Sequence, residues 1–114
     1  MLEAGYPGDS TTWRDVQRQL GQTTRTCAYD RTGLGNSLPM HGVHDARDEI
    51  ADLQRLLGAA GIRPPYVLVG QVGHSYGGTV ARLFASEHPE TAGVVLVDAR
   101  GSDATRPQLA IWPR

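Results

Sequence analysis

The sequence contains no lysine; its 11 basic residues are all arginine, against 12 acidic residues, for a formal charge of -1. So balanced a chain lacks the basic stripe with which nucleic-acid binders hold phosphates, so no nucleic-acid partner is expected. Cysteine occurs once, at Cys27, which excludes an intrachain disulfide and a cysteine-built zinc site. A buried apolar thiol is its expected role. No apolar run approaches the roughly 18–20 residues that a membrane helix needs. Met1-Leu2-Glu3-Ala4 does not lead into an apolar signal core. No membrane is expected, and the cytoplasm is the default compartment. Glycine is plentiful, at 14 of 114 residues, and the length fits one modest domain.

Helical and strand-like patterns alternate along the chain. Thr12 with Asp15 three residues later resembles a capping box, and Trp13, Val16 and Leu20 then share a face until Gly21. A weak strand is expected over Arg25–Tyr29, followed by a turn-rich loop from Asp30 to Pro39. A second helix is predicted from Asp45 to Ala60, with Asp45 and Asp48 at its start and Ile50, Leu53, Leu57 and Ala60 as its apolar stripe. Its acids Asp48, Glu49 and Asp52 suit the helix dipole and read as a solvated face. Tyr66–Val69 and Gly93–Asp98 are apolar strand runs, and a helix from Tyr76 to His88 lies between them. Continuous apolar strands separated by helices predict a parallel sheet covered on both faces. Residues 1–99 form the expected domain, and 100–114, which have no clear period, read as a loose tail.

One motif carries chemistry: Gly73-His74-Ser75-Tyr76-Gly77, a G-x-S-x-G between a strand and a helix. That context makes it a nucleophile elbow. The strand must turn sharply into the helix with Ser75 at the apex, and Gly73 and Gly77 allow the close backbone crossing. Ser75 then sits above the carboxyl ends of the strands and near the positive end of the helix, where developing negative charge is favoured. Gly78 extends the small-residue stretch and lets the helix pack tightly.

With the loop Asp30-Arg31-Thr32-Gly33-Leu34-Gly35-Asn36-Ser37 upstream, the chain resembles the central part of the α/β-hydrolase superfamily, in its serine hydrolase group. The resemblance covers nearly all residues up to Ala99 and spans the family's third to sixth strands. It implies a truncated three-layer α/β/α sandwich with a mostly parallel sheet. It also implies attack of Ser75 on a small ester or amide through an acyl-enzyme, with no cofactor. The backbone N–H of Tyr76 is the expected first oxyanion donor. Leu2-Glu3-Ala4-Gly5-Tyr6 resembles the third strand's end, with Ala4-Gly5 where many relatives have His-Gly, and makes Tyr6 the second donor.

The family's usual acid and histidine follow its seventh and eighth strands, and no histidine occurs here after His88. Asp98, at the end of the sixth strand, is the weaker candidate acid. His74 reads as a packing or oxyanion-supporting residue. His88 lies about 20 Å down its helix from Ser75, at about 1.5 Å per residue. His41 or His44 is open to recruitment as a base. His41, His44 and Asp45 are too small a set to predict a metal. Nor does any glycine group give a dinucleotide fingerprint after a strong strand.

Two departures from the family's pattern stand out. Gly70-Gln71-Val72, or an equivalent register, looks like an insertion before the elbow. It is absorbed by a shifted strand, a looped-out segment or a displaced elbow. The first two family strands are also missing. That predicts marginal stability, direct pairing of the fourth strand with the fifth, or self-association through open edges. A second reading therefore stands beside the enzyme: a non-catalytic fragment, or half of a split domain needing a complementing chain.

Overall fold

The computed structural model describes residues 1–71, 76–97 and the backbone of 109–113. Of the residues singled out above, Val72, Gly73, His74, Ser75, Asp98 and Ala99 lie outside them. The elements are β1 (Leu2–Glu3), a 3-10 turn (Ser10–Trp13), α1 (Arg14–Leu20), α2 (Ala46–Ala59), β2 (Tyr66–Gln71), α3 (Tyr76–Glu87), β3 (Thr91–Val97) and β4 (Leu109–Pro113).

The sheet order is β1-β2-β3-β4. The first three strands are parallel, and β4 returns antiparallel to β3. A short stretch of the expected loose tail thus pairs as a strand, as its apolar Leu109-Ala110-Ile111-Trp112 run allows. The weak strand at 25–29 is reduced to one bridge, Ala28 to Leu2, on the outer side of β1. Its polar residues and single neighbour explain the short pairing. β1 therefore lies between that segment and β2, so the fourth strand does not pair directly with the fifth.

α2 forms as its sequence demands. Asp45 accepts from the N–H groups of Arg47 and Asp48, and the Asp48 carboxylate accepts from the Asp45 N–H, a complete capping box. Gly61, at φ +63°, follows the helix end. Ile50, Leu53 and Leu57 are buried, whereas Ala60 is exposed. These three pack with Phe84, Ala81 and Ala85 of α3 and with Leu68, Val94 and Leu96 of the sheet.

The opposite face has thinner cover. Leu2, Ala4 and Trp13 form its buried cluster, with Ala28, Val69 and Val97 packed against them. The helix expected from Thr12 starts instead through a 3-10 turn capped by Asp9, which accepts from Thr11 N–H at 2.9 Å. Trp13 is buried, but Val16 and Leu20 are each 40% exposed. The two-residue β1 offers too little sheet to cover that helix face. Cys27 is half-buried, short of the expected core thiol.

Candidate active site

β1, β2 and β3 are parallel, so their carboxyl ends share one edge, and the chain leaves β1 there through Ala4-Gly5-Tyr6. α3 starts at the same edge, and glycines set how closely it approaches. A Cβ on Gly70 would stand 2.7 Å from the Gly77 carbonyl oxygen and 3.0 Å from the Gly78 Cα. A Cβ on Gly77 would stand 2.6 Å from the Ala4 carbonyl oxygen. Side chains at either position would push the helix off the sheet.

This contact bears on the apparent insertion. β2 runs in unbroken register from Val67 opposite Gly93 to Gln71 opposite Val97. Gly70 and Gln71, the first two residues of the apparent insertion, thus continue β2 in regular register, with Gly70 packed on α3; Val72 lies outside the described residues. The Gln71 side chain reaches across the edge, where its Oε1 accepts from the Gly5 N–H at 3.2 Å. The loop after β1 is thereby tied to the end of β2.

The Asp30–Ser37 loop is held by its own side chains. Asp30 accepts from the Ser10 N–H at 2.7 Å and the Asn36 N–H at 3.0 Å. Those backbone donors, Asn36 first, hold its carboxyl below the usual range. Ser37 closes the loop by donating to the Asp30 carbonyl. Gly35 sits at φ +52°, with the Asp30 carboxylate where a Cβ would be.

Arg31, beside this anchor, was not singled out by sequence reasoning, yet it organises the site. It is 4% exposed and donates through Nη1 to Glu3 and to the Ala4 carbonyl. Its guanidinium lies 5.1 Å from the Tyr76 ring centroid. Tyr29 also donates to Glu3. Burial pushes the Glu3 carboxyl up, against the lowering effect of Tyr29 and Arg31. One side chain thus joins β1, the loop after it and the first residue of α3.

A cavity of about 510 Å³ opens here. Its wall includes Tyr6 and Tyr76, the two expected oxyanion residues, together with Arg31, Met40, His44 and Glu49. The structure brings Tyr6 and Tyr76 to one cavity, and it buries Gly77 and Gly78 in the first turn of α3. His41 is exposed, and His88 stacks on Phe84 with ring centroids 4.1 Å apart. Among the described residues, no histidine and acid cluster beside a serine nucleophile.

Glu49 corrects the reading of α2's acids as a solvated face: it is 3% exposed. The signal was in the phase, since Glu49 precedes Leu53 and Leu57 by one and two i+4 steps. Burial raises its carboxyl pKa. Asp52 is half-buried; its Oδ2 meets His44 Nε2 at 2.9 Å and accepts from Thr32 at 3.0 Å, and Arg55 donates to its Oδ1. Burial pushes the Asp52 carboxyl up, but these bonds outweigh it and leave it lowered. The Asp52 bond raises the His44 imidazole pKa. Donor atoms of His44, Glu49 and Asp52 lie within 4.8 Å of one another, a different set from the His41, His44 and Asp45 weighed from sequence. Asp45 is occupied as a helix cap, and His44 and Asp52 bond each other, so no metal is assigned. No helix among the described residues is long and apolar enough to cross a membrane.

The profile of the alpha/beta hydrolase family matches residues 4–114. An uncharacterized protein, YqjL, of Bacillus subtilis is 33% identical over 99 residues, which cover 86% of this chain and 38% of that protein. A soluble epoxide hydrolase of a Corynebacterium is 36% identical over 89 residues, covering 77% of this chain and 29% of the relative. A thermophilic esterase from Thermogutta terrifontis superposes with a TM-score of 0.76 at 32% identity, over 83% of this chain and 34% of the esterase. The chain thus spans well under half the length of these relatives.

Proposed function

The chain belongs to the alpha/beta hydrolase family, and from that premise we propose that it acts on a carboxylic ester or amide through an acyl-enzyme at Ser75. The observation that carries this reading is the shared cavity of Tyr6 and Tyr76 at the carboxyl ends of the parallel strands. Ser75 directly precedes Tyr76, the first residue of α3, in the sequence.

In this reading the Ser75 Oγ attacks the carbonyl carbon, and a base takes its proton. The N–H groups of Tyr76 and Tyr6 hold the oxyanion. The leaving alcohol or amine departs with that proton, and water then cleaves the acyl ester. Arg31 is a positioning residue, because it holds both the Ala4 carbonyl and the Tyr76 ring. Asp98 is the candidate orienting acid. A serine at the elbow, where epoxide-opening relatives use an aspartate, favours acyl transfer over epoxide opening.

The half-covered second sheet face favours the other reading, a fold completed by a further copy or by a complementing chain that brings the base. Intact-mass measurement after exposure to a fluorophosphonate separates the two. The hydrolase reading expects one stoichiometric adduct that Ser75→Ala abolishes. Folded protein with no adduct overturns it for this chain alone.

A further inference from the structure

The two peptide groups that flank the Gly5 Cα are bonded at every polar atom but one. The Ala4 carbonyl accepts from Arg31 Nη1, and the Gly5 N–H of the same peptide donates to Gln71 Oε1 at 3.2 Å. In the next peptide the Gly5 carbonyl accepts from the Gly8 N–H at 2.6 Å. The atom left over is the Tyr6 N–H, which donates to no partner among the described residues. A trans peptide is planar, and its N–H points opposite to its carbonyl. Holding the Gly5 carbonyl against Gly8 therefore also sets the direction of the Tyr6 N–H, away from that turn.

Gly5 is buried and has no side chain with which to fix itself. Gln71, the last residue of β2, supplies one. From the place of a Gly5 Cβ, its Oε1, Cδ and Cγ stand at 3.5, 3.7 and 3.8 Å, so it lies along Gly5 in ordinary contact as well as bonding its N–H. The Ala4–Gly5 peptide is thus gripped at one end by Arg31 and at the other by Gln71. Gln71 also belongs to the stretch that reads as an insertion before the elbow. That stretch adds a contact and not only length.

We propose that Gln71 is a positioning residue: it fixes the Ala4-Gly5-Tyr6 segment so that the Tyr6 N–H is presented unpaired as the second oxyanion donor. The use of that donor rests on the hydrolase reading; the tether to Gly5 does not. A donor already aligned costs no reorganisation when charge develops on the oxygen, whereas a swinging one must first be ordered. Loss of the tether therefore acts on the transition state and leaves ground-state binding of the ester unchanged.

The test compares Gln71→Met, which keeps the length of the side chain and removes its oxygen, with Gln71→Glu, which keeps an acceptor at the same reach. Amide hydrogen exchange followed by NMR reads the tether. The Gly5 amide should exchange about two- to tenfold faster in Gln71→Met and stay protected in Gln71→Glu. The Val69 amide, which donates to the Met1 carbonyl at 2.9 Å, should be unchanged in both. Hydrolysis of p-nitrophenyl acetate reads the donor: Gln71→Met should lower kcat about tenfold or more at unchanged KM. A Gly5 amide unprotected in the wild type, or equally protected in Gln71→Met, overturns the tether and the proposal with it. An active wild type whose kcat survives Gln71→Met overturns the positioning role and leaves the hydrolase reading intact. A wild type that neither turns over the ester nor takes up fluorophosphonate overturns the hydrolase reading and the donor role together, while the exchange measurement still decides the tether.

Discussion

The two faces of the sheet are built from adjacent residues of the same strands, yet they differ in cover. Leu68 points toward α2 and α3 and is fully buried, whereas its neighbour Val67 is 49% exposed and Val69 is half-buried. On the first face two helices close over Leu68, Val94 and Leu96. On the second, Trp13, Leu2 and Ala4 cover only part of the surface. Parallel strands read as continuous apolar runs because both faces expect cover. Here the second run of side chains has only part of it. Stability is concentrated on the α2/α3 side, and the carboxyl edge of the strands, where the cavity opens, hangs from that side.

The sharpest test places two substitutions next to each other. Leu68→Ala should cost about 2–5 kcal/mol, as deletions in packed cores do. Val69→Ala should cost about 1 kcal/mol or less, because part of its surface already meets water. Urea denaturation measures both, and equal losses would erase the distinction between the faces.

A second pair sharpens the same comparison through glycine. Gly77→Ala forces a methyl against the Ala4 carbonyl oxygen and should destabilise by about 1–3 kcal/mol. Gly58→Ala, in α2 where an added Cβ meets nothing within 4 Å, should instead stabilise by up to about 1 kcal/mol. Thermal melts of the two variants should therefore move in opposite directions.

The smallest effect is in pH. His44 is raised above its ordinary 6.5 by the Asp52 bond, so the folded state favours the charged imidazole. That contribution is complete below the unfolded value and is lost as pH rises through the higher folded value. Asp52 is depressed below its ordinary 3.8, so its contribution is present above that value and is lost as pH falls through the folded one. Stability from this pair should form a plateau between the two. His44→Gln should flatten the upper slope of a melting-temperature profile and leave the core terms unchanged.

Much of this was legible in the sequence because local rules and tertiary demands agreed. Asp45 and Asp48 announced the start of α2, and Tyr66–Val69 and Gly93–Val97 announced β2 and β3. Gly77 announced a close crossing, and a Cβ there would stand 2.6 Å from the Ala4 carbonyl oxygen. The Ser75 segment was legible as a motif, but its geometry lies outside the described residues. Arg31 and Glu49 were hidden for another reason. A charged residue at a loop start or in a helix's first turn satisfies every local rule by facing water. The arrival of Glu3 and Tyr76 from distant parts of the chain turns Arg31 inward, and the phase it shares with Leu53 and Leu57 does so for Glu49. The cap at Thr12 failed for a local reason: Asp9, three residues earlier, caps a 3-10 turn that begins at Ser10.

The contact between Gly70 and Gly77 has a consequence in chain statistics. It closes a loop whose ends cannot drift apart, and six residues lie inside it, twice the three that remain without Gln71-Val72-Gly73. Gln71 still belongs to β2 and Tyr76 already to α3, so strand and helix run up to the span from both sides. The contact thereby sets the distance that any segment carrying Ser75 has to bridge, whatever its length.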